Sequence, residues 1–208
     1  MTKSRSLATL GLLVALAVEA EPVPRWQQSP EELKAAITRV RAGTDLTPAS
    51  WPEGARVAVS LSFDVDTELV WLENQDIQSP STMSRGEYGA RAGLPRVLAL
   101  LKKHDIPATF FIPAMSMELH PEVVPMIQQD PRHEFGFHSY AHENPLKLNA
   151  ADERAAYEKG LKIFVAHVGT RPKGFRSAAW DLTPATIDIV KLLGFVYDSS
   201  MMADDRPY

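Results

Sequence analysis

The sequence of 208 residues contains no cysteine. Without a thiol, the chain cannot form a disulfide scaffold, use a cysteine nucleophile or hold a cysteine-ligated zinc or iron–sulfur centre. Positive charge is also scarce, because 22 Lys and Arg stand against 26 Asp and Glu, a formal net charge of −4. That balance argues against a nucleic-acid partner, since no basic stripe is available to neutralise phosphates. What remains, 45% apolar and 23% charged residues, is the composition of an ordinary globular domain.

A hydrophobic run long enough to span a bilayer is missing from the sequence as well. The longest apolar stretch is shorter than the about 20 residues that a spanning helix needs. Lys3 and Arg5 precede this stretch, and residues 15–17 end it with an A-x-A pattern. A positive start, an apolar middle and a small-residue end are typical of a secretory signal. We therefore predict that residues 1–20 are a cleaved signal peptide, that the protein is exported to the periplasm or the extracellular space, and that no membrane span remains after cleavage.

Strand and helix signals alternate along the rest of the chain. Residues 21–52 are predicted to be an N-terminal extension with one amphipathic helix over residues 30–41. Strands are predicted at residues 57–63, 108–112, 134–137, 174–180 and 195–197. Helices are predicted at residues 94–104, 122–129, 151–168 and 183–193, and a long loop rich in Ser, Gly and Pro at residues 68–92. This alternation predicts right-handed crossovers and a parallel sheet, hence an α/β fold.

Two architectures fit this order of elements, an open doubly wound sheet and part of a (β/α) barrel. Neither G-x-G-x-x-G nor G-x-x-x-x-G-K-[ST] follows a predicted strand, which disfavours the nucleotide-binding folds. A barrel usually has seven or eight strand–helix units in about 200–250 residues. The chain reaches Tyr208 just after its fifth predicted strand. We therefore predict that residues 53–208 are a (β/α) barrel domain that is incomplete at its C-terminal end.

Two carboxylates follow the first predicted strand. Asp64 and Asp66 stand two positions apart, and alternate residues of a strand face the same way. Both would point into one site at the carboxyl end of a parallel strand, where barrel active sites are built. Because adjacent carboxylates repel, such a pair needs a cation or an arginine to compensate it. The alternative is that both aspartates cap a loop.

Two histidines follow the third predicted strand. His138 and His142 have the spacing that places both imidazoles on one face of a helical turn, where they suit a divalent metal. An isolated H-x-x-x-H is more often structural, but here the histidines and the aspartates lie at the same end of one sheet. Together they supply two imidazoles, one carboxylate and a second carboxylate to spare. Two imidazoles and a carboxylate leave coordination positions open, as catalytic metal sites do.

Four further residues belong to the same end of the predicted sheet. Arg176 lies in an otherwise apolar strand, and its guanidinium would keep Asp64 ionised and oriented; the alternative is a surface arginine. Tyr140 and Trp180 could each stack on a sugar face or serve only in packing. Asp198 follows the fifth predicted strand and is a candidate for the rim of the site.

Three motifs resemble those of a known family. The segments Ser62-Phe-Asp-Val-Asp66, His138-Ser-Tyr-Ala-His142 and Gly174-Phe-Arg176 are similar to the first three motifs of the polysaccharide deacetylases, the NodB-homology carbohydrate esterases of family 4. Further stretches resemble the branch that contains peptidoglycan deacetylase-like and allantoinase-like members; they are residues 86–96, 108–111 and 197–208. The resemblance extends over residues 56–208 and implies a distorted (β/α) barrel.

The resemblance also implies a role for each site residue. Asp66, His138 and His142 match the metal-binding positions, Asp64 matches the catalytic base, and Arg176 matches the arginine that tunes it. The implied reaction removes N-acetyl or O-acetyl groups from an envelope or extracellular polysaccharide. One divalent ion, with zinc as the first candidate, would activate a water that attacks the acetamide while Asp64 takes the proton of that water. The family also has a late histidine that acts as general acid, and no histidine follows Arg176 in this sequence.

Two other functions remain open from the sequence. Cyclic amide hydrolysis of the allantoinase type occurs in the same branch, although its metal-independent members lose part of the Asp/His/His set that this chain keeps. The second alternative is an inactive carbohydrate-binding or truncated remnant, and the absence of the late histidine favours it.

Overall fold

The computed structural model describes residues 23–38, 43–75 and 79–208. The described residues up to Asp45, together with Tyr208, form one compact unit, and Leu46–Pro207 form another. The predicted signal peptide at residues 1–20 lies outside the described residues. Within the described ranges, no helix combines the length and the apolar character needed to cross a membrane.

The first unit contains a helix, α1 (Pro30–Thr38), inside the segment where an amphipathic helix was expected. The helix begins with a capping box. The Ser29 backbone N–H donates to the Glu32 carboxylate at 2.7 Å, and the Glu32 N–H donates to the Ser29 hydroxyl at 3.2 Å. None of the residues of α1 is buried. The remaining residues of the predicted helix, 39–41, lie outside the described part of the chain.

The second unit is built on a five-stranded parallel sheet in the order β1-β2-β3-β4-β5. The strands are β1 (Ser62–Asp64), β2 (Thr109–Ile112), β3 (Glu134–Phe137), β4 (Gly174–Phe175) and β5 (Tyr197–Asp198). Every strand pairs with the next one along the chain, as in the wall of a barrel, whereas the strand order of a doubly wound sheet reverses at a switch point. The predicted α/β fold with a parallel sheet is confirmed, and the sequential order favours the barrel over the doubly wound alternative.

Helices connect the strands and cover the sheet. In the second unit they are α2 (Leu69–Gln75), α3 (Pro80–Tyr88), α4 (Leu94–His104), α5 (Ala114–Leu119), α6 (Val123–Ile127), α7 (Ala150–Val168) and α8 (Thr186–Leu192). The predictions for α4, α6 and α7 are confirmed to within two residues at each end. Helix α8 begins three residues later than predicted, although the Thr183 hydroxyl accepts hydrogen bonds from the Ala185 and Thr186 N–H groups at its start.

The prediction of a long loop at residues 68–92 is wrong. This segment forms α2, α3 and a π-helical turn, Gly89–Gly93, that runs on into α4. Ser79 caps α3 by accepting a hydrogen bond from the Thr82 N–H, and a proline stands at the first position of the helix. Gly86 and Gly89 lie in helical backbone despite the low helix propensity of glycine, and at Gly86 the helix packs closely on the backbone of residues 67–68.

The first and fourth predicted strands are the most shortened in the structure. The first begins only at Ser62, which pairs with Thr109, and Val57 and Val59 before it are 71% and 80% exposed. The fourth strand ends at Phe175, because its pairing with β5 stops at Asp198. In both segments the apolar sequence continues beyond the length over which a neighbouring strand is available to pair.

The core lies on one face of the sheet, beneath the helices. Phe110, Phe137 and Phe175 are completely buried there, and Phe137 contacts the rings of Tyr157 and Phe164 on α7 edge-on. Burial of side chains of this size contributes about 1.5–3 kcal/mol each. Because side chains alternate along a strand, the neighbouring residues of these strands face the other way and are free to build a site.

Candidate active site

Asp66 lies just past the end of β1, and a residue of α5 forms a hydrogen bond with its backbone. The Val65 N–H bonds the Phe111 carbonyl at 2.9 Å and extends the sheet by one residue. The Ser116 hydroxyl then donates to the Asp66 carbonyl at 3.0 Å and contacts the Thr67 hydroxyl at 3.1 Å. Thr67 is buried and has a left-handed φ of 56°. These contacts fix the direction in which the Asp66 side chain leaves the strand.

The two histidines that follow β3 meet Asp66. The distances are 3.4 Å from His138 Nε2 to Asp66 Oδ1 and 3.6 Å from His142 Nε2 to Asp66 Oδ2. One ligand atom from each of the three residues lies within 4.8 Å of the other two. The imidazole rings stand edge to face with centroids 5.2 Å apart. The structure therefore brings together the aspartate and the two histidines that the sequence proposes as metal ligands.

A backbone carbonyl sets the tautomer of His138. Nδ1 lies 2.7 Å from the Arg176 carbonyl oxygen. Because a carbonyl can only accept, Nδ1 carries a proton, and Nε2 is the ring nitrogen that faces Asp66. Such a contact behind a ligating imidazole is the usual way in which proteins orient it towards a metal.

The turn that carries the histidines is not helical, contrary to the i, i+4 prediction. No helix includes residues 138–142, and Ser139 and His142 have φ angles of 69° and 63°. Two left-handed residues bend the loop so that both rings face Asp66. The spacing identified the right pair, but the backbone brings them together by a different geometry.

The electrostatics of the three residues fit a cation. Burial raises the pKa of Asp66 to about 6, and Oδ1 is buried without a hydrogen-bond partner among the described residues. Burial and the neighbouring His138 lower the pKa of His142 to about 4, so this imidazole is neutral at pH 7. A buried carboxylate is costly unless it is paired or coordinates a metal. Neutral imidazole and carboxylate donors converging on one point match the ligand chemistry of zinc and similar ions.

Arg176 and Asp64 form an ion pair beside this cluster. Arg176 Nη1 lies 2.6 Å from Asp64 Oδ1, and the guanidinium also donates to the hydroxyls of Ser62 and Ser199 at 2.8 and 2.6 Å. Its central carbon lies 4.1 Å from the centre of the Phe111 ring. The guanidinium is thus held by β1, β2 and the end of β5, and its positive charge compensates Asp64. Arg176 is not the surface arginine of the alternative interpretation.

The three candidate substrate residues differ in their surroundings. The Tyr140 ring packs against the core with Lys159 Nζ 4.0 Å from its centre. Asp198 accepts hydrogen bonds from the backbone and hydroxyl of Ser200, which in turn accepts from the Ser177 N–H. Trp180 is 49% exposed and has a left-handed φ of 58°. Protein contacts account for Tyr140 and Asp198, and substrate contact by any of the three stays a prediction.

Sequence reasoning missed several residues that organise the site. Ser62 and Ser199 bind the guanidinium, Ser116 holds the Asp66 backbone, and Glu143 accepts hydrogen bonds from the histidine loop. Ser62 could have been found, since it precedes Asp64 by two positions and so shares its face of β1. Ser116 and Glu143 form hydrogen bonds with backbone groups, and no pattern of side chains in a sequence predicts such contacts.

A barrel-type sheet with a candidate metal centre at the carboxyl ends of its strands defines the general class of this protein. Its family follows from comparison with known proteins. The family model for polysaccharide deacetylases matches residues 81–197, more than half of the chain. The chain belongs to the polysaccharide deacetylase family, as the resemblance of its motifs indicated.

Related proteins include deacetylases from bacteria. A peptidoglycan deacetylase of Helicobacter pylori is 35% identical over 154 residues, which cover 73% of this chain and 52% of the relative. A peptidoglycan-N-acetylglucosamine deacetylase of Bacillus cereus is 28% identical over 131 residues, which cover 62% of this chain and 42% of the relative. The chain thus spans about half the length of the curated relatives that it matches.

Solved structures show the same fold. A Mycobacterium smegmatis protein assigned to the polysaccharide deacetylases superposes with a TM-score of 0.73 at 34% identity, over 79% of this chain and 58% of that chain. An allantoinase superposes with a TM-score of 0.66 at 29% identity, over 78% of this chain and 60% of that chain. Both comparisons support the fold expected of a NodB-type (β/α) barrel.

Proposed function

We propose that this protein is a metal-dependent hydrolase that removes N-acetyl or O-acetyl groups from an envelope or extracellular polysaccharide. The observation that carries the proposal is the convergence of Asp66, His138 and His142 next to the Asp64–Arg176 pair. The family and the named peptidoglycan deacetylases among its relatives support the substrate class. The signal-peptide pattern of residues 1–20 supports export to the side where such polymers lie.

Asp66, His138 and His142 would hold the ion, and zinc suits this donor set best. When bound, a zinc ion polarises a carbonyl and acidifies water. Asp64 is the general base: Oδ1 accepts from the Arg176 guanidinium, and Oδ2 takes the proton of the water that attacks the acyl carbon. The bond from the acyl carbon to the sugar nitrogen or oxygen then breaks, the proton held by Asp64 passes to that leaving group, and the products are acetate and the free amine or alcohol. Arg176 compensates the charge of this carboxylate and fixes its orientation. Trp180, exposed and held in a constrained backbone, is the aromatic side chain that we assign to sugar contact.

Metal content and acetate release test this function. Purified protein should bind one equivalent of zinc and release acetate from an N-acetylated polysaccharide such as peptidoglycan glycan strands. Zinc binding without release of acetate would instead support the carbohydrate-binding or remnant interpretation. Failure to bind zinc at all would refute the proposed metal-dependent reaction.

Cyclic amide hydrolysis is the second candidate, and the structural similarity to an allantoinase favours it. Both reactions attack an amide carbonyl, so the same acid–base residues could serve either. The two are distinguished by assaying cyclic ureides and imides beside N-acetylated glycans, with and without a chelator. Turnover of the cyclic substrates that persists after chelation would favour this candidate over the deacetylase.

A further inference from the structure

The histidine loop, residues 138–142, is shaped by hydrogen bonds rather than by secondary structure. Its two left-handed residues, Ser139 and His142, are not glycines, and each such conformation is unfavourable for a residue with a side chain. Backbone of this kind persists only where the surroundings over-determine it. The contacts that hold the loop therefore decide whether both imidazoles face Asp66.

Glu143 supplies the central contact. Its carboxylate turns back on the loop that precedes it, where Oε1 accepts from the Tyr140 N–H at 3.0 Å and Oε2 accepts from the Ala141 N–H at 2.6 Å. The residue is only 8% exposed. Each carboxylate oxygen thus binds a different peptide group, and the two bonds hold these consecutive N–H groups in one direction.

The other polar groups of the loop are bound by the start of α5 and by the loop itself. The first two N–H groups of α5 donate to the Ser139 carbonyl at 3.1 Å and the Tyr140 carbonyl at 2.9 Å. The Ser139 hydroxyl accepts from the His142 N–H at 3.0 Å. Among these partners, Glu143 is the one side chain that accepts from two N–H groups of the loop at once.

We propose that Glu143 is a positioning residue that shapes the histidine loop for metal binding. This inference rests on the proposed function, because it assumes that Asp66, His138 and His142 hold an ion. Glu143 acts through the backbone and does not contact the ion. Its carboxylate holds the peptide groups between the two histidines in place of the helical turn that the sequence spacing suggests.

Two substitutions and one matched control test this role. Glu143→Gln keeps the shape but can accept only one of the two N–H groups, while its amide NH₂ opposes the other; Glu143→Ala removes both bonds. The control is Glu153→Gln. Glu153 is also a buried carboxylate that accepts hydrogen bonds, but its donors are hydroxyls of α7 and the α8 start, and none of them belongs to the histidine loop. Both classes of variant should lower the unfolding midpoint, which separates general destabilisation from loss of positioning.

Zinc affinity, measured by competition with a chromophoric chelator, should fall about 10- to 100-fold in Glu143→Gln, as is usual for residues behind metal ligands, and further in Glu143→Ala. The visible absorption of the Co²⁺-substituted protein should also change, since the ligand geometry changes. In Glu153→Gln both should match the wild type. If Glu143→Ala does not fold, the isosteric Gln variant decides.

Three results would overturn the inference. One is zinc affinity of folded Glu143→Gln within about twofold of the wild type. Another is a loss of affinity with an unchanged Co²⁺ spectrum, because removal of a nearby negative charge explains that without any change of geometry. A wild-type protein that binds no zinc would overturn this inference and the proposed function together, whereas the first two results leave the proposed function standing.

Discussion

Asp64 and Asp66 are two positions apart in the sequence, but their carboxylates have different partners. Asp64 accepts a hydrogen bond from the Arg176 guanidinium at 2.6 Å. Asp66 faces two imidazoles, keeps a buried oxygen without a hydrogen-bond partner in the described part of the chain, and has its pKa raised by burial to about 6. One carboxylate is therefore compensated by an arginine, and the other has the surroundings of a metal ligand. Substitutions at the two positions should have different consequences.

The change Asp64→Asn should leave metal binding intact and remove turnover. Asparagine keeps an oxygen that accepts from Arg176, so the local geometry persists, but an amide cannot take a proton from water at neutral pH. Loss of a general base costs roughly 10²- to 10⁴-fold in rate. Acetate release and zinc content, measured on the same preparation, check the prediction. A near-normal rate in this variant would show that another group is the base.

The changes Asp66→Ala, His138→Ala and His142→Ala should each abolish retention of the metal. Each removes one of three donors whose ligand atoms lie within 4.8 Å of one another. Zinc content after dialysis against a weak chelator, determined by elemental analysis, is the measurement. His104→Ala is the control, because His104 is exposed at the end of α4 and should not affect the bound metal. If the three variants retained as much zinc as the control, the proposed metal centre would be refuted.

At the scale of the element, the sequence predicts what depends on local periodicity. The observed bounds of helix α4 match the prediction, because Leu94 and Leu101, about two helical turns apart in the apolar pattern, mark its buried side. The prediction for residues 68–92 was wrong, because two glycines and one proline in this segment favour a loop when only the local sequence is considered. In this segment, α3 contains Gly86 because the helix packs closely on backbone. The local sequence does not reveal this packing.

That reason gives a prediction for Gly86. A Cβ at this position would lie 2.5 Å from the Glu68 Cα and 2.7 Å from the Thr67 carbonyl oxygen, so it would collide with backbone that cannot yield as a side chain can. Gly86→Ala should therefore destabilise the fold by about 1–3 kcal/mol, although alanine favours helices. Urea unfolding of the variant and the wild type measures the difference.

Gly89→Ala is the matched control. Gly89 follows α3 with right-handed helical dihedrals, and a Cβ there would meet nothing within 4 Å. Alanine should be neutral at this position or stabilise by up to about 1 kcal/mol. If Gly86→Ala proved as stable as this control, the close packing of α3 on the backbone after Asp66 would be disproved.

For the whole molecule, alternation of strand and helix was enough to predict a parallel sheet with the chemical residues at one edge. It could not predict which contacts connect the strand ends at this edge. Arg176 donates from its side chain to Asp64, and its carbonyl accepts from His138, so a single residue after β4 links the ends of β1 and β3. These contacts are separated by 112 and 38 positions in the sequence. Only the folded chain brings such groups within reach.

A metal at this edge would connect β1 to the loop after β3, so its binding should stabilise the whole sheet. A ligand that binds only the folded state at 100 times its dissociation constant contributes about 2.7 kcal/mol. For a chain of this size, that corresponds to a rise of roughly 5–10 °C in the unfolding midpoint. Calorimetry with added zinc, and again after chelation, measures the shift. Asp66→Ala should show no zinc-dependent shift, because the carboxylate that joins the two strand ends is gone. An equal shift in Asp66→Ala would place the stabilising ion elsewhere on the molecule, and a wild-type midpoint indifferent to zinc would mean that no ion links these strands.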